Sequence, residues 1–369
     1  MKEISFENYT HRVLGSWYGR IIGDFVGYPL EFRPYCYIKR KYGELKYYPK
    51  EIDHDYVNDD EMYEICALIA LEEYGPDLTA KEIAKVWKNR LYKQNFTAEK
   101  ITLKNLREEE LWPPESGTHE NYYYDAIGAQ MRADIWGQIT PGCPEMAKKY
   151  AEMDGSISHT GIGIQGEVYI AVMISHAFFI DDIRKNIEKS LEYLPSAEES
   201  LFTQMVLKAQ KIYKKYPENF RDARKELINY WHQVRKTKLK QGLSLLSNRR
   251  IKFLNRIISG VHVLPNIGII ILSLLYGSKD TEDPLGRSVC IAAMMGLDTD
   301  CNCGNIGALL GAKLGDQEIP NKWKSPLQNR FNTYVKGYEH WKITELAERV
   351  ADIGEDVINQ KCDQTIRIT

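Results

Sequence analysis

Two acidic pairs, far apart in the chain, carry the first chemical signal. Asp59 and Asp60 stand side by side in Val-Asn-Asp-Asp-Glu-Met, residues 57–62, and Asp298 and Asp300 stand two apart in Gly-Leu-Asp-Thr-Asp-Cys-Asn, residues 296–302. Four carboxylates brought together from two loops could hold one or two hard divalent cations, which take oxygen ligands. If they converge, the chain is a metal-dependent enzyme. The structural alternative is that each pair caps a helix, one acid at the N-cap and the next favoured by the helix dipole. Cys301 and Cys303 are softer donors, but no further Cys/His pair completes a four-ligand site.

The elements that must position these acids read as helices. Met62, Ile65, Cys66 and Ile69 fall at helical spacing after Asn58 or Asp59 as cap. Gly15, Gly19, Gly23 and Gly27 recur every fourth residue, and Gly304, Gly307, Ala308, Gly311, Ala312 and Gly315 repeat the device after the second acidic pair. Each glycine costs a helix about 1 kcal/mol relative to alanine, so these two helices must be central and held by close packing. Loops are marked at 111–117, 140–144 and 158–163. There is no strand-and-turn rhythm and no repeat. The expectation is an all-α, single-domain chain, 1–369, with a polar, divergent region at 196–256 and one or two closing helices from about 326, where Leu346, Val350 and Ile353 keep helical spacing.

Composition narrows the class. The chain has 43% apolar and 27% charged residues and a formal net charge of −2, so it can build a large core and has no global attraction to nucleic acid. Seven cysteines, an odd number and without CxxC pairs, fit no disulfide framework and suit a reducing cytoplasm. Residues 257–277 lack Asp, Glu, Lys and Arg, but Pro265, Asn266 and His262 interrupt them, which favours a buried helix over a membrane span.

Taken together, the motifs resemble a family. Gly-Asp-Phe-Val-Gly-Tyr-Pro-Leu-Glu (23–31), Asn-Asp-Asp (58–60), Ser-His-Thr-Gly (158–161) and Gly-Leu-Asp-Thr-Asp (296–300) are similar, in order, to signatures of the ADP-ribosylglycohydrolases, which are related to dinitrogenase reductase-activating glycohydrolase. The Pro-Pro-Glu-Ser-Gly loop, the segment 127–137 and Asp-Thr-Asp-Cys-Asn resemble a bacterial branch of that family. The match spans about 9–325. It implies a compact orthogonal helical bundle and a binuclear magnesium site, with manganese as a substitute ion, that cleaves the bond between ADP-ribose and a protein, nucleic-acid or small-molecule acceptor. By position, Asn58, Asp59 and Asp60 would serve one metal, Asp298 would lie between the two, and Asp300 and Cys301 would face the second. Glu31 would be the acid/base, with Asp298 beside it in the chemistry. His159, Gly161, Gly163 and Asn302 would line the substrate groove. Cys301 departs from the family's usual Thr and is a poor magnesium ligand, which puts the second metal in question.

Other residues keep two readings. Glu31 could pair with Arg33, and His159 could be a satisfied core histidine. Arg132 and Asp134 are expected to pair with each other. His262 and Asn266 face the cleft or tie down a loop. One of Tyr122, Tyr123 and Tyr124 could stack on a base. The basic stretch 235–256 is a solvated face or a phosphate-attracting surface. Two other function classes remain: a decayed binding or structural protein on the same scaffold, and a metal-dependent phosphoester hydrolase. No membrane partner is expected.

Overall fold

The structure, a computed structural model, describes residues 1–240 and 260–369. The basic stretch noted at 235–256 therefore lies outside the described residues from 241 onward. The described residues are mainly helical, as the periodicity implies. The helices that matter for the site are α1 (Phe6–Gly27), α2 (Asp60–Tyr74), α3 (Thr97–Arg107), α4 (Ile162–Ala177), α5 (Val263–Gly277), α6 (Pro284–Met295), α7 (Thr299–Leu314) and α8 (Ile343–Val357).

The two glycine stripes pack on each other. A methyl group at Gly19 would overlap the Gly307 carbonyl, one at Gly15 the Gly311 carbonyl, and one at Gly23 the backbone of Cys303. Numbers rise along α1 as they fall along α7, so the pair is antiparallel and its backbones touch along most of its length. The end of α1 is thereby set beside the start of α7: Thr299 donates from Oγ1 to the Gly27 carbonyl at 2.7 Å. This contact decides where the acids go.

Around this seam α5 and α6 are almost wholly buried. The apolar run after 257 is thus a core helix, and no helix among the described residues is long and apolar enough to cross a membrane. The expected closing helix is α8, which buries Leu346 and Val350. Four three-residue strands are an addition to the all-helical expectation. Lys2–Ile4 pairs parallel with Ile366–Ile368, tying the chain ends together, and Arg330–Asn332 pairs antiparallel with His340–Lys342. They are too short to show a period of two.

Candidate active site

Glu31, Asn58, Asp59, Asp60, Asp298, Asp300 and Cys301 all line one cavity of about 670 Å³. Three segments deliver them. Glu31 follows α1 by one short turn, Asp59 and Asp60 open α2, and Asp298 and Asp300 open α7. Asp59 and Asp298 occupy N-cap positions, yet neither side chain makes a capping hydrogen bond. The capping alternative therefore accounts for their place in the chain but not for their carboxylates.

The backbone is strained where it matters. Phe32 (φ 50°) directly follows Glu31 and Leu297 (φ 76°) directly precedes Asp298, conformations that cost non-glycine residues about 1–3 kcal/mol each. The Phe32 N–H donates to the Leu297 carbonyl at 3.0 Å, which clips the two loops together. Asn266 supports the second loop. Its Oδ1 accepts from the Asp298 N–H at 3.3 Å and from Asn302 Nδ2 at 2.7 Å, while its Nδ2 donates to the Gly260 and His262 carbonyls. His262 caps α5 by accepting the Leu264 N–H at 3.1 Å. These two polar residues tie down loops.

Charge is crowded here. Burial and then Asp300 push the Asp60 carboxyl well above its ordinary range, and burial with Asp300 and Glu31 does the same to Asp298. Glu31 is pushed up to about 9 by burial, then by Asp300 and Asp60. Among the described residues, the cation paired with this cluster is Arg20, fully buried in α1, whose Nη1 sits 3.1 Å from Asp60 Oδ2. Arg20 also bonds Asp134 through Nε at 2.7 Å. Among the described residues, this one guanidinium is shared among Asp24, Asp60, Glu64 and Asp134. Asp300 Oδ1, Glu61 Oε1 and both Asp24 oxygens are buried without a hydrogen-bond partner. Among the described residues, Asp298, Asp300 and Cys301 each offer a ligand atom within 4.8 Å of the others, and the two carboxylates of this corner suit a hard divalent cation. Cys301 fits less well: burial and the neighbouring Asp298 and Asp60 hold its thiol well above its usual value, so it stays protonated and donates to Asp60 Oδ1 at 3.5 Å.

The remaining expected residues lie apart from this wall. His159 is buried behind Glu99, with Nδ1 2.8 Å from Ser158 Oγ and 3.8 Å from Glu99 Oε1, and it does not line the cavity. Gly161 lines a separate surface depression. A side chain at Gly163 would strike the Tyr124 carbonyl, so that glycine serves backbone packing. Asn302 is buried under the loop. No ion pair joins Glu31 and Arg33 among the described residues. Arg132 does not pair with Asp134. It binds Asp154 at 2.6 Å and Glu99 at 2.9 Å, because Asp134 is taken by Arg20. Of the three tyrosines, Tyr123 reaches the cavity.

Sequence reading missed Glu99 and Arg20. Glu99 sits on the buried face of α3, lines the cavity and is held by Arg132. An acid on the apolar face of an amphipathic helix was its available signal. Arg20, a charge flanked by Gly19 and Gly23 in a helix expected to be central, was the other.

The family model for ADP-ribosylglycohydrolase matches residues 5–359. The chain belongs to the ADP-ribosylglycohydrolase family. An uncharacterized protein of Archaeoglobus fulgidus is 22% identical over 340 residues, covering 89% of this chain and 96% of that protein. A solved structure, an ADP-ribosylglycohydrolase-related protein complex, aligns with TM-score 0.54 at 15% identity over 95% of this chain and 99% of its own. At that identity the likeness shows the shared fold, and the family's all-α architecture is the one seen here.

Proposed function

We propose that the protein is a magnesium-dependent hydrolase that cleaves an N- or O-glycosidic bond between an ADP-ribosyl or related ribosyl group and its acceptor. The observation that carries this reading is the meeting of Glu31, Asp59, Asp60, Asp298 and Asp300 on one cavity wall, with less positive charge among the described residues than would balance them. Asp59, Asp60, Asp298 and Asp300 would hold the metal, with the Asn58 carbonyl beside them. When bound, magnesium would supply Lewis acidity toward ribose hydroxyls and acidify a water. Manganese, with the same oxygen preference, would substitute.

In the metal-free protein Glu31 keeps its proton at neutral pH, because burial and then Asp300 and Asp60 raise its carboxyl to about 9. That is the state in which a carboxyl can protonate a departing group as the ribose develops oxocarbenium character. Asp298, next to it across the Phe32–Leu297 clip, would supply negative charge beside that cation once a bound metal favours its ionised form. Glu99, braced by Arg132, forms another part of the cavity wall.

The test is a hydrolysis panel of ADP-ribosyl-arginine, ADP-ribosyl-serine, ADP-ribosylated nucleic acid and simpler ribosides, each with magnesium and with chelator. Release of ADP-ribose or ribose that needs magnesium and is lost in Asp298→Ala is expected. Glu31→Gln should lower kcat by about 10²–10⁴-fold while keeping the magnesium-dependent melting shift. Release of phosphate or a nucleoside monophosphate would replace the reading with phosphoester hydrolysis. Silence with no melting shift would leave a binding protein.

A further inference from the structure

Beside the acidic cavity lies a groove of opposite charge. It measures about 520 Å³ and its walls include Tyr92, Lys93, Lys100, Lys104 and Arg107. Gln94, Lys100 and Ile101 belong to both depressions, so one opens into the other. Helix α3 explains the contrast. Its inner face buries Ala98, Leu103 and Leu106 and turns Glu99 to the cavity, while Lys100, Lys104 and Arg107, at i, i+4 and i+7, stand exposed on the outside.

Among the described residues no carboxylate lies within ion-pair distance of Lys93, Lys100, Lys104 or Arg107. Lys93 rests over the rings of Tyr92 and Tyr334, at 5.8 and 5.1 Å. Arg107 donates from Nε and Nη2 to the Lys88 and Leu91 carbonyls at the end of the helix Ala80–Arg90, which holds its guanidinium at the groove's edge. At the far end Glu108 closes the groove. Two of the most exposed aromatic side chains flank it: Tyr92 is 47% exposed and Phe96, on the cavity side, 54%.

We infer that this groove binds a single strand of nucleic acid, so that the acceptor from which the ribosyl group is removed is a nucleotide in such a strand. The acceptor assignment rests on the glycohydrolase reading; the binding of the strand does not. A row of cations with aromatic faces at its edge is the chemistry that holds single strands, phosphates on the cations and bases on the rings. The run from Lys100 to Arg107 covers about 10 Å at 1.5 Å per residue, longer than the pyrophosphate of one ADP-ribose would need. Its direction leads into the cavity that Glu31 and Asp298 line. The chain's net charge of −2 hides this surface because the acids of the cavity offset it.

The test is fluorescence anisotropy of a labelled oligothymidylate of about 10 nucleotides with the full-length, metal-free protein, titrated across salt. The expected result is binding whose log affinity falls with log salt at a slope of about −2, the value for three phosphates neutralised on a single strand. Lys100→Glu with Lys104→Glu should lower affinity at least about tenfold and reduce the slope by more than one. The matched charge change Lys211→Glu with Lys214→Glu should not, and unchanged melting temperatures would confirm that both variants are folded. Absence of binding would overturn the inference, as would equal binding by the α3 variant, which would put the strand elsewhere. It would also be overturned if the α3 variant lost affinity for free ADP-ribose and not for the oligonucleotide, since the groove would then serve the pyrophosphate. An unmodified strand needs no turnover, so this outcome is legible whether or not the glycohydrolase reading holds.

Discussion

The α1–α7 seam and the acidic cavity are built from the same two helices and obey opposite rules. Along the seam, from Gly15 to Gly23 against Cys303 to Gly311, glycines let backbone touch backbone. At its end, where α1 finishes and α7 begins, carboxylates crowd together and several buried oxygens have no partner. The difference shows what the glycines do for function. Mutually repelling acids would drift apart on a compliant frame, and backbone contact between α1 and α7 leaves little room for drift. The strain at Phe32 and Leu297 sits at this junction, where the rigid seam can sustain it.

Breaking the seam should have the largest effect. Gly307→Leu drives a side chain into the Gly19 carbonyl, and the obstacle is backbone, which cannot rotate away. Cost above about 4 kcal/mol is expected, more than ordinary overpacking, seen as loss of soluble protein or a collapsed melting transition. At the other end, Asp300→Asn removes one charge from the crowd and should raise the melting temperature of the metal-free protein. Equal destabilisation by both would mean that seam and cavity are not distinct in this way.

That contrast also explains what the sequence made legible. The glycine stripes, the two acidic pairs and Glu31 could be read because spacing and residue type carry their meaning. That the stripes pack on each other, antiparallel, is what brings the acids together. What stayed hidden depends on distant partners. Arg132 and Asp134 are close in sequence, but each finds its counter-ion elsewhere, at Asp154 and at Arg20. The glycines at 161 and 163 suggested a ligand groove, although Gly163 answers to the Tyr124 carbonyl. Glu99 and the basic outer face of α3 had no motif, only an amphipathic pattern whose meaning depends on what stands beside it.

A gentler probe of the cavity is its response to pH and metal. The Glu31 carboxyl rises in the fold from 4.5 to about 9, so between these values the folded chain binds a proton that the unfolded chain has released. The stability this contributes is fully present below about pH 4.5 and is lost as pH rises toward 9. The neighbouring aspartates, shifted in the same direction, add to the trend. Metal-free protein should therefore melt at progressively lower temperature from pH 5 to 9. Magnesium, which favours the charged carboxylates, should flatten that slope and at a hundredfold excess over Kd add about 2.7 kcal/mol, a melting shift of roughly 3–4 °C. A slope unchanged by magnesium would remove the cavity's claim to a cation.

The smallest expected effect tests the residue that departs from the family pattern. Cys301 is a protonated thiol donating to Asp60, held so by burial and by Asp298 and Asp60. A serine keeps the donor and replaces a soft atom by a hard one. Cys301→Ser should therefore leave turnover within about threefold, a change below about 1 kcal/mol, and should preserve or tighten the magnesium shift, since hydroxyl oxygen suits that ion better than sulfur. Cys301→Ala leaves Asp60 with Arg20 alone and should weaken the shift more than serine does. If serine abolished magnesium binding while cadmium rescued the native cysteine, the thiol would be a ligand in its own right, and the cavity would be built for a softer metal than its carboxylates imply.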